Sequence, residues 1–139
     1  MSEEAASVST YQKREKEDGN AVVEFGLVLP FLLILLLGII DWGHVHFARL
    51  TLVNAAREGA RAGITRALIA EAEEHSEQRA QEYLANSGVQ GAEIDAEMHR
   101  DFQYGLTVTI TLPFEPLIGF VPTPRRLDAQ SVMRWELAP

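Results

Sequence analysis

From Ala21 to Ile40 the chain runs about 20 residues with one charged side chain, Glu24. At roughly 1.5 Å of rise per residue, an apolar helix of that length spans the hydrocarbon core of a bilayer. A secretory signal has a shorter apolar core followed by a small-residue cleavage site. Asp41-Trp42-Gly43-His44 offers no such site, so the pattern predicts a transmembrane helix. Pro30 lies inside it and predicts a mild bend, which membrane helices tolerate. Trp42 stands where an aromatic anchor meets the membrane interface.

The flanks have other periods. Met1 to Asp18 is polar and ends in the charged run Lys13-Arg14-Glu15-Lys16-Glu17-Asp18. It holds too few apolar side chains to bury anything and is expected to be disordered. Beyond the span, Val45 to Gly63 has helical composition and no proline. Leu52, Ala55, Ala56, Gly59 and Gly63 recur at spacings of three and four, making one face of mostly small residues. Arg57 and Arg61 fall on a different, charged face. A second helical stretch runs from about Arg66 to Asn86, with Gly88 placed as a C′ residue. One unbroken helix from Asn20 to Ser87 would approach ~100 Å, so a bend or break is expected between Gly59 and Ala67.

The last third alternates. Glu93 to Met98, Leu106 to Leu112 and Ser131 to Leu137 read as three strands, each with one buried and one wet face. Met133, Trp135 and Leu137 share one side of the third. Between the second and third lie Pro113, Pro116, Pro122 and Pro124, which exclude a central strand there. The loop from Phe114 to Val121 is unusually apolar. It either lies across the sheet to complete a small core, or exposes a patch for a partner or the membrane surface. The expected fold is therefore α+β: a long N-terminal transmembrane helix extended into a small domain with a second helix and a three-stranded antiparallel sheet.

Composition narrows the chemistry. The chain has 139 residues, no cysteine and a formal net charge of -8. Outside the span this suffices for one small domain with a modest core. Disulfides, thiolate metal sites and cysteine nucleophiles are excluded. The acidic balance argues against nucleic acid, whose phosphates require a basic surface. His44 and His46 are two apart and do not face each other on a helix, with only Asp41 near enough to join them as a metal ligand. No G-x-S-x-G or phosphate-binding glycine loop occurs. The expectation is a protein with no enzymatic activity, metal or cofactor.

Glu24 is then the informative residue. An ionisable group inside a membrane span costs a few kcal/mol, suggests function and requires a partner. Near a helix end it also fits a carboxylate reaching back to the interface. Gly19 followed by Asn20-Ala21-Val22-Val23, then Glu24 and Phe25, leading into an apolar helix, resembles the processing site of type IV pilin-like proteins. That resemblance implies a membrane-embedded prepilin peptidase cutting after Gly19. The cut would free an amine at Asn20, mostly protonated near neutral pH. Glu24 of one subunit could then pair with the Asn20 amine of a neighbour.

A second block, Leu52-Val53-Asn54-Ala55-Ala56-Arg57-Glu58-Gly59-Ala60-Arg61-Ala62, resembles TadE-like proteins, as do Val23-Glu24-Phe25 and Leu29-Pro30. These are minor pilins, or pseudopilins, of the tight-adherence (Tad, or Flp) pilus machinery. A looser likeness extends through Leu112-Pro113-Phe114 to Ser131-Val132-Met133-Arg134. Such leaders usually carry basic residues directly before the glycine, whereas this chain has Glu17-Asp18.

The resemblance implies a cytoplasmic leader over 1–19, a transmembrane helix over 20–41 and an extracytoplasmic pilin-like domain over 42–139. It implies residence in a bacterial inner membrane, crossed once, with the possibility of entry into a pilus. Lys13, Arg14 and Lys16 before the span favour a cytoplasmic N-terminus. The implied partners are other pilins and minor pilins of the Tad machinery, an inner-membrane assembly platform, the prepilin peptidase and the lipid bilayer. Asn54, Ala55, Arg57, Glu58, Gly59, Arg61 and Gly63 are the candidate packing residues, although small faces also pack against a protein's own sheet. The rival from another class is an uncleaved, single-pass binding module of the cell envelope.

Overall fold

The computed structural model describes residues 2–65, 69–99 and 105–134, with side chains over 20–65, 71–99 and 105–134. The elements run α1 (Ser2–Ile64), α2 (Ile69–Asn86), β1 (Glu93–His99), β2 (Gly105–Pro113) and β3 (Arg126–Arg134). The fold is α+β, and the chain divides into two compact units between Ile39 and Ile40.

In the first unit α1 is helical from Ser2, which corrects the expectation of a disordered leader. The reason is local. Ala, Glu, Gln, Lys and Arg dominate the leader, and extending an existing helix avoids the cost of nucleating one. Pro30 is accommodated within the helix. Among the described residues α1 is the one helix long and apolar enough to cross a membrane. Its side chains from Asn20 to Leu36 are exposed, including Phe25, Phe31 and Leu35. A row of exposed leucines and phenylalanines is the surface that lipid, or another apolar helix, solvates.

The second unit contains the rest of α1, with α2 and the sheet. The three strands form an antiparallel meander in the order β1-β2-β3. Register follows the alternation in sequence. Ile94 faces Ile110, Ala96 faces Val108 and Met98 faces Leu106. On the other side Ala129 faces Ile110, and Met133 faces Leu106. The even-numbered positions of β2, Leu106, Val108, Ile110 and Leu112, are all buried, as expected of the central strand of a sheet covered on that face. One core cluster joins them to Val45, Ala48, Leu52, Ala55, Ala56 and Ala60 of α1 and to Ala80 and Leu84 of α2. Both helices thus supply the layer over the sheet.

α1 ends at Ile64, inside the interval where a break is expected, and Thr65 Oγ1 donates to the Ala62 carbonyl at 2.8 Å. α2 closes with Gly88 in the left-handed region (φ 77°). Val89 N–H donates to Leu84 O and Gly88 N–H to Ala85 O, the paired bonds of a Schellman cap. β3 starts at Arg126, five positions before the expected Ser131 and two after Pro124, the last proline of the loop. Leu127 and Ala129 are small or apolar enough to continue its inward row. Arg66 and Leu68 of the expected second helix, and Trp135 and Leu137 of the expected third strand, lie outside the described residues.

The outer edge of β1 is closed by side chains. Ala96 N–H donates to Glu77 Oε1 at 3.2 Å, and Met98 N–H donates to Glu73 Oε1 at 3.0 Å. Two glutamates one turn apart on α2 therefore satisfy alternate amides of an edge strand that would otherwise be free to pair with another chain.

Candidate assembly and membrane site

At the N-terminal candidate site Gly19 lies within α1. Asn20 Nδ2 donates to Glu24 Oε1 at 3.1 Å across one helical turn. Both residues are exposed, and Phe25 beside them is 60% exposed. The sequence places Glu24 at the head of the apolar segment, and its own Asn20 amide satisfies one of its oxygens. The other oxygen retains its acceptor capacity.

The second candidate block divides into two faces. Ala55, Gly59 and Gly63 are buried within the second unit. A Cβ added at Gly59 would come within 2.7 Å of the Ser76 carbonyl oxygen, and one at Gly63 within 2.9 Å of the Ala72 carbonyl oxygen. Those glycines let the backbones of α1 and α2 touch. The small-residue stripe is thus packed inside the chain. Glu58 is half-buried and pairs with Arg79 of α2 at 3.3 Å, while Arg79 also holds Glu82 at 2.8 Å. Hydrogen bonds to Glu82 and then Glu58 raise the Arg79 pKa above its ordinary value.

The outward face of this part of α1 carries Phe47, Leu50, Asn54, Arg57 and Arg61, spaced by three and four. Phe47 is 56% and Leu50 is 63% exposed. Arg57 and Arg61 are exposed and form no ion pair among the described residues. Reading the block from its small residues points to the opposite side of the helix. Phe47 and Leu50 lie outside the residues singled out in sequence, yet their period with Asn54, Arg57 and Arg61 is legible there.

Asp41 is the residue that sequence reasoning underrates. It directly follows the apolar run and is fully buried. Its Oδ1 accepts the Ile118 N–H and its Oδ2 the Gly119 N–H, each at 3.0 Å. Gly119 has φ 75°, a conformation in which a side chain would be strained. The carboxylate therefore fixes the turn of the β2–β3 loop onto α1 at the end of the apolar segment. The cost argument that singles out Glu24 applies equally to a carboxylate next to Ile40, and that is the signal that would have found it.

The loop is partly core and partly surface. Phe114 is buried, its ring centroid 5.2 Å from that of His44, and its N–H donates to Arg125 O. Leu117 is 65% and Phe120 is 66% exposed, with Ile118 at 37%. Phe114 thus completes the core, while Leu117, Ile118 and Phe120 face outward. His46 sits against Trp42 rather than beside His44, with ring centroids 6.2 Å apart.

An apolar helix long enough to cross a membrane once, joined to an α+β unit, is compatible with a single-pass membrane protein. Residues 19–61 match the family model for TadE-like protein, the family that the two sequence blocks resemble. The match begins at the candidate cleavage glycine and ends at Arg61, short of α2 and the sheet. No curated protein and no solved structure matches. The family match and the membrane-competent helix together support a protein associated with the Tad pilus.

Proposed function

We propose that this chain is a TadE-like minor pilin, or pseudopilin, that scaffolds assembly of a Tad/Flp pilus from a bacterial inner membrane. The observation that carries the reading is the match over residues 19–61, which takes in Gly19, Glu24 and the Asn54 to Arg61 block together. The N-terminus lies in the cytoplasm and the second unit outside. The prepilin peptidase cuts after Gly19. Glycine is the weakest helix former among ordinary residues, so α1 unwinds there at least cost. The apolar helix stands beside other pilin and minor-pilin helices in the bilayer, near the assembly platform.

Glu24 sets the register of that contact. Released at Asn20, the new amine of a neighbour supplies a full positive charge to the oxygen that the Asn20 amide leaves open. Outside the membrane the exposed row from Phe47 to Arg61 meets the next subunit, with two apolar side chains at its base and two cations above. The protein acts as a peptidase substrate and a scaffold, without catalysis of its own.

The test is the intact mass or N-terminal sequence of the protein from membranes of its native host. The expected chain begins at Asn20, and Gly19→Val abolishes that species. A full-length chain in cells with an active pilin peptidase overturns the processing step and leaves the uncleaved envelope module as the reading.

A further inference from the structure

We infer that the β2–β3 loop is a second membrane contact, with Leu117 and Phe120 seated in the interfacial layer of the bilayer that α1 enters. The inference rests on the membrane-spanning reading of α1 but not on the pilus reading. The juxtaposition that carries it is the pinning of Ile118 and Gly119 by Asp41. Asp41 is the first residue after the apolar run, so its height along α1 is the height at which the chain leaves the hydrocarbon. The turn that Asp41 holds is therefore at that boundary, whichever way the protein is inserted.

The chemistry of the loop fits that level. From Pro116 to Pro124 it carries no charged side chain. Its two most exposed large side chains, Leu117 and Phe120, flank the pinned pair. Trp42, adjacent to Asp41, is 44% exposed, and tryptophan favours the headgroup layer. The nearest charges in sequence stand at the two ends, Glu115 and Arg125, where they stay in water while the tip enters the interface. Closing the turn's N–H groups on a buried carboxylate also removes the backbone donors that would otherwise oppose its entry.

The absence of cysteine allows a direct test on the full chain. Leu117→Cys, Phe120→Cys, Val132→Cys and Leu33→Cys are each labelled with an environment-sensitive fluorophore. The proteins are reconstituted in vesicles of phosphatidylcholine and phosphatidylglycerol carrying spin-labelled lipid. Val132 is exposed on β3 and Leu33 lies in the span. At positions 117 and 120, shallow spin labels should quench about half of the emission or more, as expected of interfacial side chains. Position 132 should be unaffected, and position 33 should respond to deep labels. If 33 is quenched while 117 and 120 behave as 132 does, the loop is in water or covered by protein, and the inference is overturned. If 33 is also unquenched, the spanning reading itself fails and this inference fails with it.

Discussion

Asp41 accepts the Gly119 N–H at 3.0 Å across 78 positions of the chain. With the bond from Ile118, it is a long-range polar contact that holds the β2–β3 loop against α1. Asp41→Ala should leave both amides without their carboxylate acceptor. A hydrogen bond to a charged group contributes about 1.5–3 kcal/mol, and water can replace part of that at these two exposed residues. The expected result is faster hydrogen exchange at Ile118 and Gly119 and easier proteolysis between Phe114 and Arg125, with the amides of β1 and β2 little changed. Exchange rates at 118 and 119 equal to those of the parent would show that the carboxylate does not hold the loop.

Gly59→Ala tests the close approach of α1 and α2. The added Cβ meets the Ser76 carbonyl oxygen at 2.7 Å and the Ala80 Cβ at 3.0 Å. The first of these is backbone and cannot rotate away, so the helices must separate. Overpacking of this kind costs about 1–3 kcal/mol, more than the ~1 kcal/mol that alanine gains over glycine in helix propensity. Chemical denaturation in detergent should show a net loss of stability. A net gain would mean that the helices part without cost and that the glycine is not required inside the chain.

The acid limb of stability has a traceable component on the outer face of the sheet. Arg126 Nε donates to Asp128 Oδ1 at 2.9 Å, and Thr111 Oγ1 donates to the same oxygen at 3.1 Å. The hydrogen bond from Arg126, and then the one from Thr111, holds the Asp128 pKa below its ordinary value. A carboxyl whose folded pKa is depressed contributes stability above its unfolded pKa, near 3.9, and loses it as pH falls through the folded value. Denaturation midpoints of the parent should therefore fall more steeply below about pH 4 than those of Asp128→Asn. The exposed position makes the difference small. Parallel acid limbs would remove Asp128 as a contributor.

Most of the architecture is legible from the sequence because it rests on periodicity. The Thr/Val alternation of β2 sets which residues are buried, and Ala96 opposite Val108 follows from the same period. The apolar run and the break near Gly63 are equally local. What escapes is long-range or depends on choice between equivalent surfaces. Glu73 and Glu77 look like solvated residues of α2 until β1 is brought to them. The small face of α1 suits either its own α2 or a neighbour, and only the fold assigns it inward. Asp41 has no partner within its own helical neighbourhood in sequence. The leader's helicity escapes any argument from burial because local propensity and continuity with the apolar helix suffice for it.

Glu24→Gln separates charge from shape at the head of the apolar segment. Gln keeps an oxygen able to accept from Asn20 Nδ2, as Glu24 does at 3.1 Å, and it has nearly the same volume. Helix continuity and membrane insertion should therefore be unchanged, or slightly easier, because a neutral amide costs less in lipid than a carboxylate. What the substitution removes is the negative charge available to a neighbouring amine, and with it a charge-assisted bond roughly twice as strong as a neutral one. In the native host the variant should fractionate with membranes in parental amounts and lose its leader normally, yet recover several-fold less of the other pilus subunits on co-purification. A parental yield of those subunits would mean that Glu24 plays no part in register and serves only its own helix, through Asn20.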